Sequence, residues 1–286
     1  MPAISAAILA FAMTAASAPV SATQEPPKQL PGPFLIYGPV HTIRDERQTF
    51  RSGDGTLVEG PRVLVQTIEY NEDGTKQDST TYLPDSNSTF RRVVTYATDG
   101  RWSETINFRD GKLTDRVVAK FDDHKRLEEE VTYRPDGSVA NRMVVRREGG
   151  KAESESWTYD FAGNMTSNAK TSNDLPARHA DSIIINRNGV VQIQSSQKNN
   201  PDGSREFRTE GSNGQFKHEV YQSGEGTQNK TIYNRDGTIK STERRIMEFD
   251  SYHNMIKVTR LIADGNSSDF KPVDITYRTI VYYAKD

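Results

Sequence analysis

WSETINFRDGKLTDRVVAKF, residues 102 to 121, holds the pattern that decides the fold. Ile106 and Phe108 alternate with polar residues, Asp110-Gly111 follows, and Val117, Ala119 and Phe121 resume the alternation. A period of two on either side of an Asp-Gly dipeptide describes strand, tight reversal, strand, because that dipeptide tolerates the positive φ angles of a hairpin turn.

The same punctuation recurs in both directions from this unit. Asp54-Gly55, Asp73-Gly74, Asp99-Gly100, Asp136-Gly137, Asn188-Gly189, Asp202-Gly203, Asn213-Gly214, Asp236-Gly237 and Asp264-Gly265 all stand between runs of β-branched and aromatic residues. Gly137, Gly150, Gly163 and Gly189 are separated by 13, 13 and twice 13 residues, and periodicity of that kind marks a repeat architecture. An aromatic stands four residues before the glycine in Tyr70/Gly74, Tyr96/Gly100, Tyr133/Gly137, Tyr159/Gly163 and Tyr233/Gly237. In two units Lys125 and His253 replace the glycine, which strains the backbone wherever φ must be positive. The expected fold is all-β: tandem hairpins in a long twisted antiparallel meander, curved or folded into two lobes. The strand pattern lapses between Ser167 and Asp181, which is the expected weak point. Met255 to Ile262 and Val273 to Tyr283 carry apolar residues on both faces, so these strands are expected to be buried on both sides or to close the array. Glu128, Glu129 and Glu130 read as a charged strand edge.

Composition agrees with a thin core. Hydrophobic residues make up 34% of the 286, charged residues 27%, and mean hydropathy is -0.76. Twelve Tyr and eleven Phe separate the chain from disordered sequences, which are poor in aromatics. Lys plus Arg is 37 against 39 for Asp plus Glu, without the basic surplus that a nucleic-acid partner demands. Cysteine is absent, so disulfides, thiolate metal ligands and thiol nucleophiles are excluded.

Residues 1–22 read as a signal peptide, with an apolar run from Ile4 to Met13 and small residues at Val20-Ser21-Ala22, although no Lys or Arg precedes the run. Residues 23–33 form a Pro-rich linker and residues 34–286 the β-repeat domain. The expected location is secreted or periplasmic, and no apolar stretch is long enough to be a helical membrane span.

The units Tyr159-Asp160-Phe161-Ala162-Gly163-Asn164, Phe249-Asp250-Ser251-Tyr252-His253-Asn254 and Phe121-Asp122-Asp123-His124-Lys125-Arg126 resemble the Tyr-Asp-x-x-Gly-Asn/Arg pattern of RHS/YD-repeat proteins. The looser Tyr-x-x-Asp-Gly units are similar to repeats of MORN-like antitoxin proteins. Only the unit at Tyr159 keeps every motif position. The resemblance implies a β-hairpin scaffold and brings no catalytic residue with it. Large RHS proteins wrap their strands into a closed shell around a toxin, and this chain is short for enclosing a domain.

Candidate chemistry is sparse. His41, His124, His179, His218 and His253 never form a spaced pair, so no metal ligand set is read from the sequence. Aligning Asp73-Gly74 or Asp202-Gly203 with a calcium loop puts Thr80 or Thr209 where a bidentate Glu is required. No nucleophile elbow, P-loop or dinucleotide fingerprint occurs, and no cofactor is expected. Trp102 and Trp157, each beside a strand terminus, are the candidates for a sugar- or peptide-binding platform, and packing over a neighbouring turn is the competing role. The expected function is therefore a non-catalytic exported repeat protein that binds a protein or glycan or acts as a spacer. An enzyme acting on envelope polymers and a toxin-neutralising protein are the alternatives.

Overall fold

The computed structural model describes residues 29–30, 36–53, 56–148, 151–174, 179–186 and 189–284. The segment read as a signal peptide lies outside them.

The chain is a succession of strands. The first are β1 Gln29–Leu30, β2 Ile36–Tyr37, β3 Val40–Gly53, β4 Thr56–Tyr70, β5 Lys76–Leu83, β6 Ser88–Tyr96 and β7 Trp102–Arg109. There follow β8 Lys112–Phe121, β9 Leu127–Tyr133, β10 Val139–Glu148, β11 Lys151–Tyr159, β12 Met165–Asp174, β13 His179–Asn186 and β14 Val191–Asn199. The last are β15 Arg205–Gly211, β16 Phe216–Gly224, β17 Thr227–Tyr233, β18 Ile239–Phe249, β19 Met255–Asp264 and β20 Lys271–Tyr282. Each of β3 to β20 pairs antiparallel with its neighbours in sequence, and β20 returns to pair with β3 from Asp274↔Thr49 to Tyr282↔Val40. The result is a closed up-and-down barrel of eighteen strands, with β1 and β2 as a separate two-stranded sheet.

Closure corrects the expected open or two-lobed ribbon. Open sheets much beyond ten strands must curl or split, and this one curls fully, which removes both edges. Glu128 to Glu130 therefore lie in β9, a strand paired on both sides by β8 and β10, and not at an edge. Between Ser167 and Asp181, the expected weak point, β12 and β13 pair from Ser167↔Asn186 to Asp174↔His179, and residues 175–178 lie outside the description. The C-terminal strands do close the array, as one of the two expectations had it.

One face of the barrel wall is consistently the shielded one. Ile43 lies opposite Ile68, Ile68 opposite Ser79, Ser79 opposite Arg92, Arg92 opposite Asn107 and Asn107 opposite Asp115, so the ladder carries a single face round the wall. The buried strand residues Ile43, Asp45, Ile68, Gln77, Val94, Thr105, Met143, Glu219, Glu243 and Asp274 belong to that face, which is therefore the inner one, and buried Ala263 lies on the other. Ile106 and Phe108 point outward, while Val117 and Ala119 of the same hairpin point inward. Among the described residues, dry packing is confined to Ile36, Val40, Ile43, Ile68 and Tyr70, with Ile280 and Tyr282 against them. Elsewhere the inner wall is only half-buried, as at Thr171, Ser182, Ser195 and Thr209. Eighteen strands enclose more space than side chains fill, so the lumen is open to water.

The Asp-Gly reversals differ in length: Asp110-Gly111 is a two-residue turn between the paired Arg109 and Lys112, whereas those at Asp136, Asp202 and Asp236 are three-residue loops. In Arg134 to Ser138, the Arg134 N–H donates to the Ser138 carbonyl, the Gly137 N–H to the Arg134 carbonyl, and the Asp136 carboxylate accepts from the Ser138 N–H at 2.9 Å and its hydroxyl at 2.7 Å. The glycine takes φ +84°, and the register slips by one residue between Val139 and Asn141. In the Tyr-Asp-x-x-Gly-Asn form the first aspartate does the same work, Asp160 accepting from the N–H groups of Ala162 and Asn164. Lys125 and His253 are held at φ +60° and +63°, so the expected strain is real.

These turns occur at both ends of the barrel, and the end decides where the aromatic before the turn points. Tyr70 and Tyr96 precede turns at the rim that carries β2, and both face inward, opposite Gln77 and Ser103. Tyr133 and Tyr233 precede turns at the other rim, and they face outward beside Arg116 and His218. Geometry requires this. Moving an identical hairpin to the opposite rim while keeping the strand order means rotating it about the in-plane axis across the strands, which exchanges its two faces.

Replacing His253 by glycine relieves a left-handed residue and is expected to raise stability by about 1 kcal/mol in denaturant unfolding. Lys125→Gly gains less, because the Lys125 ammonium donates to the Asp99 carbonyl across the rim.

Candidate functional site

The inner wall divides into sectors of different chemistry. Across β16 to β20 runs a belt of paired charges. Glu219 accepts from Lys217 at 3.0 Å, Lys230 at 3.1 Å and the Tyr221 hydroxyl at 3.0 Å. Glu243 meets Arg245 at 2.7 Å and Arg260 at 3.6 Å, and Arg260 reaches Asp274 at 2.5 Å. At the seam between β20 and β3, Arg278 grips Asp45 through two hydrogen bonds of 2.8 and 2.7 Å, with both side chains below a tenth exposed. Across β12 to β15 the wall is hydroxylic, with Thr171 bonded to Ser182 and Ser195 to Thr209.

The third sector, on β3 to β8, is hollowed into a trough of about 560 Å³. It runs from Ile36, Tyr70 and Tyr96 at one rim to Phe90 and Arg109 at the other, over Gln77, Ser79, Arg92 and Asn107. Burial pushes the Tyr70 phenol up to about 12 and raises that of Tyr96, so both hydroxyls remain protonated donors.

The first described residues are pinned to the rim. Asn254, fully buried, accepts the Tyr37 N–H at 2.7 Å and donates to the Tyr37 carbonyl at 2.8 Å and the Tyr282 hydroxyl at 2.9 Å. Ile36 is thereby held in the apolar cluster at the mouth of the trough. The last residue of the Tyr-Asp-x-x-Gly-Asn unit is thus a clamp, a role that its motif position does not announce.

Two inner carboxylates show opposite outcomes of burial. Burial acts to raise Glu219, but the hydrogen bonds from Lys217, Lys230 and Tyr221 outweigh it and leave its pKa lowered. In Glu130 burial prevails and raises the carboxyl, opposed only by the charge of Arg92. One raised carboxyl without a second acid at hand does not constitute an acid–base pair. Among the described residues, no group of three or more His, Cys, Asp or Glu side chains is placed to hold a metal ion.

Trp102 and Trp157 are not brought together. Trp102 opens β7 on the outer face opposite Lys120, 44% exposed. Trp157 lies four strands away at the opposite rim, in an outer groove of about 390 Å³ with Val144, Glu155, Lys170 and Ile183. The two tryptophans thus lie apart on the outer wall.

The outer wall carries ion pairs between adjacent strands. Asp78 meets Arg91 at 2.6 Å, Glu104 meets Arg116 at 3.0 Å, and Glu129 bridges Lys120 at 3.0 Å and Arg142 at 2.9 Å. Glu155 faces Lys170 at 3.5 Å and Glu248 meets Lys257 at 2.7 Å. Arg91 and Arg116 also lie over the rings of Phe108 and Tyr133, so their stems cover outward apolar surface while their heads stay wet.

Fold and wall chemistry together define a wide antiparallel barrel with polar groups on both surfaces. No family model matches the chain, and no curated protein matches it. Among solved structures it is similar to a porin-like protein from Bacteroides uniformis ATCC 8492, at 9% identity over 85% of this chain and 98% of that one, with TM-score 0.42. A porin-like protein from Bacteroides vulgatus ATCC 8482 gives 11% identity over 85% and 98%, with TM-score 0.34. The TcdB2-TccC3-TEV structure gives 8% identity over 82% of this chain and 22% of that one, with TM-score 0.19. Similarity this shallow decides neither lineage nor activity.

Removing one partner of the seam pair leaves a buried charge without compensation, so Arg278→Ala is expected to cost about 3–5 kcal/mol in urea unfolding. The joint replacement Asp45→Leu with Arg278→Met should cost far less.

Acid should weaken the barrel. Asp136, Asp160, Asp202 and Asp236 are held below their ordinary 3.8 by hydrogen bonds from turn N–H and side-chain donors, and Glu219 lies below its ordinary 4.5. A carboxylate depressed in the folded state contributes stability above its unfolded pKa and loses it as pH falls toward the folded one. Thermal unfolding temperatures are thus expected to be flat with respect to these groups above about pH 5 and to drop below about 4.5. Glu219→Gln should show a shallower drop.

Proposed function

We propose that the protein is a non-catalytic barrel of the cell envelope that stands in water and holds its ligand against the inner wall. The outer ion pairs carry this reading. In a lipid-facing wall, each Lys or Arg near the bilayer midplane costs about 2–4 kcal/mol, and the outside must instead present an apolar band between aromatic girdles. Here Lys120, Glu129 and Arg142 occupy successive strands of the outer wall. The strands β9, β15 and β17 have seven residues each, short of the roughly nine to eleven that a spanning strand needs.

An envelope location is supported by the signal-like residues 1–22, with 23–33 as a tether and the barrel from residue 34 onward. The Tyr-Asp turns support reading the wall as RHS/YD-like hairpin units. A binding role is supported by the combination of an open lumen, a lined trough and inner acids neutralised by cations. The partner in this reading is a glycan or protein small enough to enter.

The test is fractionation of cells that express the chain with its own N-terminal segment. The mature protein is expected in the osmotic-shock fluid and should not float with lipid vesicles. Carbonate-resistant recovery with the outer membrane, or ion conductance in planar bilayers, would sink the proposal.

A further inference from the structure

We propose that the trough on the inner face of β3 to β8 binds an acidic oligosaccharide, whose carboxylate or sulfate groups are taken by Arg92 and Arg109. The inference rests on the lumen being open to water, as in the function proposed above, and names the ligand class for that site.

Charge comes first. Four arginines line the trough, Arg91, Arg92, Arg109 and Arg278, against one acid, Asp115. Arg91 is committed to Asp78 on the outer side and Arg278 to Asp45. Asp115 is occupied by the Asn107 amide at 2.6 Å and the Thr114 hydroxyl at 2.9 Å. Arg92 is exposed, faces the lumen and has no ion-pair partner within 4 Å among the described residues. Arg109 has only Asp110 at the 4.0 Å limit and otherwise lies over the Phe90 ring. With Arg91 and Arg278 paired, Arg92 and Arg109 face the single Asp115 carboxylate, whose amide and hydroxyl partners are neutral, so the lining keeps one net positive charge in a chain whose net charge is -2. Beyond the lining, the charge of Arg92 also acts on Glu130. Planar guanidinium groups suit carboxylate and sulfate oxygens, which they engage through paired N–H donors.

The neutral lining then selects among anions. Gln66, Gln77, Ser79, Thr81 and Asn107 present amides and hydroxyls strand by strand, and Tyr70, Tyr96 and Phe90 set rings at either end. Ile43, Ile68 and Val94 line the trough as well, with Ile36 and Tyr70, so its packed apolar surface lies toward their rim and Arg109 at the other. An extended peptide usually gains its affinity by adding a strand to a free sheet edge, and the closed barrel offers none. A hydroxyl-rich polymer bearing anionic groups matches both the donor rows and the two guanidinium groups. The volume is within the usual range for sites that enclose small ligands.

Calorimetry on the chain from residue 23 onward tests this with a short oligogalacturonate, its methyl ester, inorganic sulfate and a poly-aspartate peptide as probes. The acidic sugar is expected to bind, the methyl ester and free sulfate at least about tenfold more weakly, and poly-aspartate likewise. Arg92→Gln should weaken the acidic sugar by about tenfold and Arg92→Lys by less, whereas Arg142→Gln on the outer wall should leave it unchanged. Equal binding of the ester, indifference to Arg92→Gln, or poly-aspartate bound as tightly through Arg92 would overturn the proposal. Osmotic-shock recovery of the protein would stand in each of those cases, so failure here is distinguishable from failure of the aqueous-barrel reading.

Discussion

The seam between β20 and β3 is the constraint on which the rest of the structure depends. Every other ladder joins strands that are neighbours in sequence, so their pairing follows from a local turn. The seam alone joins the ends of the domain, with Arg278 and Asp45 separated by 233 positions. Its register is fixed from inside by that bidentate pair, flanked by Ile280 on Ile43 and Tyr282 on Val40. A one-residue slip would turn Arg278 to the outside and bury its neighbour instead, because side chains alternate between the faces. The buried apolar cluster found among the described residues lies at the same place, so apolar residues gather where the closure entropy is greatest.

Closure also explains how so polar a chain folds. A sandwich or a filled barrel needs an inner face rich in large apolar residues, and 34% hydrophobic residues spread over both faces do not supply one. A wide barrel satisfies its backbone entirely through ladders and has no edge to protect, so it tolerates water on both sides. Stability is then distributed over hairpins, cross-strand pairs and turn carboxylates, each individually modest.

The turns were legible in the sequence because their chemistry is local: a carboxylate that caps N–H groups, followed by a residue at positive φ. The strands between them followed from the same spacing. Two properties were not legible because they are global. Whether β20 would meet β3 depends on strand number and tilt, and no single hairpin encodes it. The identical tyrosine positions in Tyr70 and Tyr133 face opposite sides, since the five-residue turns move from one rim to the other between Phe121 and Tyr133, one strand apart instead of two. Arg92, Arg109, Glu130 and Asn254 were missed for the same reason. Their inward placement becomes visible only when parity is counted from each turn through its bulge. Trp102 and Trp157 drew notice by size, yet both lie on the outer wall.

The asymmetry of the inner wall is what gives the barrel a direction of interest. On β16 to β20 the inward acids Glu219, Glu243 and Asp274 each have a cation, so that belt is largely closed upon itself. On β3 to β8 the balance is broken: two arginines keep solvated heads over a row of amides and hydroxyls, beside the seam and beneath the residue that Asn254 holds in place. Arg92 opposes through its charge the rise that burial imposes on Glu130, and no acid within ion-pair reach among the described residues claims its head. Unpaired charge on the concave side of a shell costs self-repulsion and is retained at a surface where something of opposite sign comes to rest.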